Sequence, residues 1–88
     1  SMNRDDMAKG YKALLTQTKR RYLSFGNMIR SAAQLSGMDE DRLGMAFYVF
    51  EQLGFLKYSN GILTVRKADK RQLEENVGYN AIVKLAGG

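Results

Sequence analysis

The chain has 88 residues, a formal net charge of +5 and a pI near 9.7, which suits one small domain with a single modest core. It has no cysteine and no histidine, which excludes a disulfide scaffold, a thiolate zinc site, a thiol nucleophile and a histidine base. It lacks both an apolar run of the roughly 20 residues that cross a bilayer and the apolar core of a signal peptide. We therefore expect a soluble protein, and the lack of cysteine fits a reducing cytosol. Ser1-Met2 is typical of residues added to an excised domain, so we expect residues 1–88 to be one domain of a larger protein.

Charge is distributed unevenly along the chain. Residues 1–37 carry seven Lys/Arg and two acidic residues (+5), residues 38–54 carry one and four (−3), and residues 55–88 carry six and three (+3). The basic flanks favour an anionic partner, although many basic surfaces are only solvated.

A first helix is predicted from the capping residue Asn3 to about Lys19. Its apolar stripe consists of Met7, Tyr11, Leu14, Leu15 and Thr18. Lys19, Arg20 and Arg21 then close the helix, where cations suit the negative end of the helix dipole. The alternative is that this cluster contacts phosphate groups.

A second helix is predicted from Phe25 to about Leu35, with Ser24 as its cap and a stripe of Phe25, Met28, Ile29, Ala32 and Leu35. The two residues before the cap, Tyr22 and Leu23, are predicted to form a short third strand beside the ribbon described below.

A third helix is predicted from the cap Asp39 to Gly54, which can adopt the left-handed conformation that ends a helix. Its stripe consists of Leu43, Ala46, Phe47, Phe50 and Leu53. Phe55 is placed to contact Phe50 across the helix end.

Asn60-Gly61 between two apolar runs predicts a hairpin with a type I′ turn. The resulting register pairs Ser59 with Ile62, Tyr58 with Leu63, Lys57 with Thr64 and Leu56 with Val65. Leu56, Tyr58, Leu63 and Val65 then share one face, which must lie against the helices.

Two helices joined by about four residues that include a glycine, followed at once by a hairpin, are typical of a winged helix-turn-helix. The sequence therefore predicts an α+β, mainly helical fold with a β-hairpin wing. A C-terminal helical extension is predicted after Asn76, carrying Tyr79, Ile82 and Val83.

No catalytic, metal or cofactor site is expected in this chain. Asp39, Glu40 and Asp41 are explained by the start of a helix, and adjacent helical residues point in different directions. The scattered glycines do not form a phosphate loop, because no strand precedes a glycine-rich run and no G-K-S/T follows.

The segment VFEQLGFLKYSNGILTV followed by KRQLEENVGYN resembles the C-terminal domain of RecJ-type single-stranded-DNA-specific exonucleases of Gram-positive bacteria. That family has a V-F-E-E-L-G-F helix end, an N-G ribbon and a K-R-x-L-x-x-S-x-x-Y tail. Gln52 replaces the second acid, and Asn76 stands in place of the serine. The resemblance covers residues 4–79 and implies a non-catalytic accessory domain of a cytoplasmic, metal-dependent 5′-3′ exonuclease in DNA repair and recombination. The divalent metal ions of that parent bind in other domains.

Two functions remain open for such a domain, and the first is nucleic-acid contact. The outer face of the third helix carries Arg42, Met45, Tyr48, Glu51 and Gln52 behind an acidic first turn, which disfavours sequence-specific duplex readout. Weak, sequence-independent contact with single-stranded DNA is expected through the basic flanks. The residues are Lys19, Arg20, Arg21, Arg30, Lys57, Arg66, Lys67, Lys70 and Arg71. Tyr22 or Tyr58 can stack on a base, although the hairpin register favours burial of Tyr58.

The second function is protein interaction. Met45 and Tyr48 on the third helix have the chemistry of an interface hot spot, which would dock the domain on the nuclease core or recruit a partner such as the single-stranded-DNA-binding protein. The plainer alternative is that both residues pack on the last helix.

Overall fold

A computed structural model describes residues 3–66 of the chain. This part is a small, mostly helical α+β domain made of three helices followed by a two-stranded antiparallel hairpin. The elements are α1 (Arg4–Thr16), α2 (Phe25–Ser36), α3 (Glu40–Gln52), β1 (Leu56–Ser59) and β2 (Ile62–Val65). Within it, every helix is too short or too polar to cross a membrane. The predicted C-terminal helical extension lies outside the described residues.

Helix α1 begins as predicted, because the Asn3 side chain accepts a hydrogen bond from the Asp6 amide at 2.8 Å. It ends at Thr16, earlier than predicted, and continues as a single 3₁₀ turn, Gln17–Lys19. Of the predicted stripe, Met7, Tyr11 and Leu14 are buried, whereas Leu15 and Thr18 are only half-buried. The tighter 3₁₀ turn rotates the last residues, so that Gln17 becomes the buried side chain there.

Helix α2 is capped by Ser24, whose hydroxyl accepts from the Asn27 amide at 3.1 Å. The prediction that Leu35 lies in its core stripe is wrong, since Leu35 is 66% exposed. The buried arc covers Met28, Ile29, Ala32 and Ala33. Because successive residues of an α-helix are rotated by about 100°, Leu35 lies just outside the edge of the buried arc that Met28 marks. Phe25 is also partly exposed, with its ring edge-on to Phe47 and Tyr58.

Helix α3 confirms the predicted cap and stop. Asp39 accepts from the Arg42 amide at 3.0 Å, and Gly54 has a φ of 82°. The Gly54 amide donates to the Glu51 carbonyl and the Phe55 amide to the Phe50 carbonyl, the two bonds of a Schellman motif. The predicted residues Leu43, Ala46, Phe47 and Phe50 are buried, and Leu53 is half-buried.

The core lies where the three helices meet the inner face of the hairpin. Tyr11 of α1 is central to it, since its ring centroid lies 5.0 Å from that of Phe50 and 6.4 Å from that of Phe55. Gly10 permits a close approach of α1 to α3, because a Cβ there would lie 3.2 Å from Leu43 Cδ1. The hairpin is thus seated on an aromatic cluster at the C-terminal end of α3.

The hairpin confirms the predicted register. Leu56 pairs with Val65, Lys57 with Thr64, Tyr58 with Leu63, and Ser59 with Ile62. Asn60 and Gly61 have φ values of 52° and 79°, as a type I′ turn requires. Leu56 and Leu63 are buried, Tyr58 and Val65 are half-buried, and Lys57 and Thr64 are exposed, so the predicted inner face is correct.

The predicted third strand does not form. The sheet of the described residues has two strands, and the segment before α2 makes one backbone hydrogen bond to the hairpin, from the Leu23 amide to the Gly61 carbonyl at 2.9 Å. Tyr22 has a φ of 55°, which is incompatible with an extended strand. The chain therefore touches the tip of the hairpin and turns away from it.

Candidate nucleic-acid interface

The basic segment, residues 19–21, connects α1 to α2 and is exposed throughout. Lys19 ends the 3₁₀ turn, whereas Arg20 and Arg21 lie beyond it. The prediction that all three residues close α1 is wrong for Arg21, whereas Lys19 and the C-cap residue Arg20 end the 3₁₀ turn that continues α1. The cluster instead belongs to a connecting segment that passes beside the hairpin tip.

Arg20 is held in place by neutral partners. Its guanidinium donates to the Gln17 side-chain oxygen at 3.3 Å and to the Ser31 hydroxyl at 3.1 Å. Gln17 is 3% exposed, and its amide nitrogen donates to the Thr16 hydroxyl at 3.0 Å. These bonds orient the arginine, and none of its partners within residues 3–66 is acidic. Sequence reasoning missed Gln17 and Ser31, because no local pattern signals a glutamine buried by its own 3₁₀ turn.

Lys19 and Arg21 complete the segment without a carboxylate partner. Within residues 3–66 neither side chain makes an ion pair or a hydrogen bond. Three successive cations without an ion pair in the described part of the chain form a site suited to phosphate groups, which bind lysine and arginine side chains through charge and hydrogen bonds.

The hairpin tip fastens the residues that follow the basic segment. Leu23 donates its amide to the Gly61 carbonyl, and its own carbonyl accepts from the Tyr58 hydroxyl at 2.6 Å. A Cβ on Gly61 would lie 3.0 Å from Tyr22 Cα, so glycine is needed there for the two backbones to meet. This contact joins residues far apart in the sequence.

The two tyrosines considered for base stacking differ in their surroundings. Tyr22 is 93% exposed and directly follows the basic segment. Tyr58 is half-buried, its ring lies 5.5 Å from the Phe25 ring, and its hydroxyl is bonded to Leu23. Only Tyr22 presents free ring faces.

Arg30 occupies a different environment from the basic segment. Its side chain forms an ion pair with Glu40 at 3.7 Å and donates to the Asn27 side chain at 2.9 Å. It therefore lies at the corner between α2 and α3, where the acidic start of α3 offsets part of its charge.

Lys57 lies three residues before Asn60 and Arg66 five residues after Gly61, about 10 and 17 Å from the turn along their strands. They line a shallow pocket of about 410 Å³ together with Glu51 and Gln52. The structure thus separates them from residues 19–21. The other predicted contacts, Lys67, Lys70 and Arg71, lie outside the described residues.

The outer face of α3 carries the candidate protein interface. Met45 and Tyr48 are 62% and 60% exposed, and they lie three residues apart on one side of the helix. Glu40 and Asp41 precede them in the exposed first turn of α3. This face is apolar and acidic, in contrast to the basic segment.

A groove between α1 and the end of α2 was not anticipated. It has a volume of about 390 Å³ and is lined by Lys9, Lys12, Ala13, Thr16, Leu35 and Ser36. The only sequence signal was a pair of lysines three residues apart.

The residues from 3 to 66 contain no group of three acidic side chains placed to hold a metal ion.

Comparison of the chain with protein-family models, with curated proteins and with solved structures found no match.

Proposed function

We propose that this chain is a winged-helix-like, non-catalytic accessory domain that makes sequence-independent contact with single-stranded DNA. The observation that carries the proposal is the set of three cations, Lys19, Arg20 and Arg21, which lie beside the hairpin tip and form no ion pair with any residue from 3 to 66. The order of three helices and a hairpin supports the winged-helix assignment, with α2 and α3 as the helix pair and β1-β2 as the wing.

The acidic start of α3 argues against a duplex-reading domain. In a helix-turn-helix the second helix of the pair places its N-terminal residues against the DNA, and here those residues are Asp39, Glu40 and Asp41. Phosphate contacts made outside that helix carry no sequence information. We therefore assign the contact to the basic segment, with Lys57 and Arg66 as lesser contributors.

The parent protein in this proposal is a RecJ-type exonuclease of the cytoplasm, and its support is the resemblance of the α3 end, the hairpin and the tail. Reading the coding sequence of the parent gene on both sides of residues 1–88 tests this origin. Aspartate and histidine motifs of a metal-dependent nuclease in the same reading frame are expected, and a continuous parent chain without them would reject this origin.

The binding test compares the 88-residue chain with a Lys19→Ala, Arg20→Ala, Arg21→Ala variant. Fluorescence anisotropy with a labelled oligothymidine should show at least a roughly tenfold weaker affinity at low salt. The slope of log K against log salt should shrink by about 2, because each phosphate contact to a single strand contributes about 0.7.

The control variant is Lys9→Ala with Lys12→Ala, two exposed cations on α1 away from the hairpin. It should lose less affinity per charge removed than the triple variant. Equal losses per charge would assign the binding to net charge alone, and unchanged binding in the triple variant would reject the basic segment as the contact.

The exposed pair Met45 and Tyr48 favours a second candidate function, which is docking on the nuclease core or on the single-stranded-DNA-binding protein. Aromatic and methionine side chains are enriched at the centres of protein interfaces. This function predicts partner binding that is insensitive to salt and is abolished by Tyr48→Ala. Titration calorimetry against each partner at two salt concentrations distinguishes it from the contact through residues 19–21.

A further inference from the structure

Tyr22 combines two features that the fold itself does not need. Its side chain is 93% exposed, so it contributes little to the core. Its φ of 55° is a left-handed conformation that a bulky residue adopts at a cost in free energy. Glycine or asparagine would satisfy this backbone at less cost. A residue kept in a costly conformation without a packing role points to a role at the surface.

The backbone around Tyr22 is fixed from both sides. Residue 23 uses its amide and its carbonyl in hydrogen bonds to the hairpin, to Gly61 and to Tyr58. The Leu23 side chain is 5% exposed and belongs to the core. On the other side, the Arg20 amide donates to the Gln17 carbonyl at 3.2 Å, and the Arg20 guanidinium donates to the side chains of Gln17 and Ser31. Tyr22 therefore projects from a rigid support, and little conformational entropy is lost when a ligand covers it.

We propose that Tyr22 is a stacking platform for an unpaired nucleobase, with the phosphates of the same strand bound by Lys19, Arg20 and Arg21. This inference rests on the proposed function and names the part of the ligand that the site recognises. Proteins that bind single strands without sequence preference combine a basic surface with aromatic rings on which bases stack. The basic segment and Tyr22 are adjacent in the chain and supply both components.

This arrangement selects for single strands over duplexes. A base within a duplex already stacks on its neighbours and would have to be unstacked to reach the ring. The phosphates of a duplex remain accessible to the cations. Duplex DNA should therefore use only the basic segment, whereas a single strand uses the basic segment and Tyr22 together.

The first experiment replaces Tyr22 with tryptophan, which creates the only tryptophan of the chain and can be excited at wavelengths where the remaining tyrosines absorb little. Oligothymidine should quench and shift the emission of Tyr22→Trp on binding, because the base contacts the indole face. A duplex of the same length should change the emission little. Emission unchanged by a saturating single strand would overturn the stacking assignment.

The second experiment measures affinity at fixed salt. Tyr22→Ala should bind oligothymidine about 5- to 150-fold more weakly, the range for losing one base stacked on an aromatic ring. Tyr22→Phe should bind like the unmodified chain. The salt slope should be the same in all three proteins because no charge is removed. Tyr48→Ala, which removes another exposed tyrosine ring, serves as the matched control and should leave the affinity unchanged.

A third variant separates recognition from folding. Tyr22→Gly should raise the midpoint of thermal unfolding, because glycine adopts the left-handed conformation without strain, while it weakens single-strand binding as much as Tyr22→Ala does. If Tyr22→Gly binds normally, the ring has no role in recognition and the stacking proposal fails.

The outcomes distinguish this inference from the proposed function. If the triple alanine variant of residues 19–21 loses affinity and Tyr22→Ala does not, the phosphate contact stands and the stacking proposal is overturned. If the unmodified chain does not bind oligothymidine, both are overturned. If Tyr22 instead contacts a protein partner, oligonucleotide affinity would not depend on its ring. Tyr22→Ala would then bind oligothymidine normally, and the stacking proposal would be overturned.

Discussion

The two ends of the hairpin are built in different ways. The open end is seated in the core by Phe50 and Phe55, whose rings both pack on Tyr11, and by the Schellman motif at Gly54. The tip is fastened by backbone contact with the segment before α2, at Gly61. Both ends carry cations, but only the tip places them beside an exposed aromatic ring. The open end thus supplies stability and the tip supplies a rigid surface.

The largest effect is expected at the open end. Phe50→Ala removes a fully buried ring that lies 5.0 Å from Tyr11 and should lower the free energy of unfolding by about 3 to 5 kcal/mol, enough to unfold a domain of this size. Tyr48→Ala, two residues earlier and exposed, should change it by less than about 0.5 kcal/mol. Chemical denaturation followed by circular dichroism measures both, and similar losses would contradict this account of the core.

A pair of glycine substitutions compares the two ends directly. Gly54 and Gly61 have φ values of 82° and 79°, so alanine is strained by about 1 to 2 kcal/mol at either position. A Cβ at Gly54 meets no atom within 4 Å, whereas at Gly61 it would lie 3.0 Å from Tyr22 Cα. Gly61→Ala should therefore be the more destabilising, as measured by denaturant titration. A larger loss for Gly54→Ala would mean that the tip is not in contact with Tyr22.

The smallest effect is expected from the cations of the open end. Lys57→Ala with Arg66→Ala should weaken oligothymidine binding less per charge than the triple alanine variant of residues 19–21, because Glu51 lines the same pocket and Tyr22 contacts the hairpin at its turn instead. Anisotropy titrations at two salt concentrations measure this difference. A loss equal to that of the triple variant would extend the interface along the whole hairpin.

Local chemistry explains which parts of the fold were predictable. The caps at Asn3, Ser24 and Asp39 and the Asn60-Gly61 turn depend on residues within a few positions of each other, and all were confirmed. Leu35 was wrongly predicted to be buried in α2. Its sequence spacing from the other apolar residues fits the stripe equally well whether it lies inside the buried arc or at its edge.

The arrangement of the candidate site was not predictable in the same way. The charges of residues 19–21 are visible in the sequence, but their support by Gln17 and Ser31 depends on how α1 ends and how α2 packs. The conformation of Tyr22 depends on contact with a hairpin tip 39 positions later in the chain. The apolar pair Tyr22-Leu23 predicted a short strand beside the hairpin. The positive φ of Tyr22, where the chain meets the hairpin tip, excludes that strand.

The bond from Leu23 to the Gly61 carbonyl has a consequence for engineering the protein. A two-residue turn at the end of a ribbon is where a peptide tag or a longer loop would normally be grafted. In this domain such a graft would break the contact between the hairpin tip and the linker that joins α1 to α2. That linker carries Arg20, Arg21 and Tyr22. Exposed positions on the outer side of α3 offer attachment points that leave that linker in place.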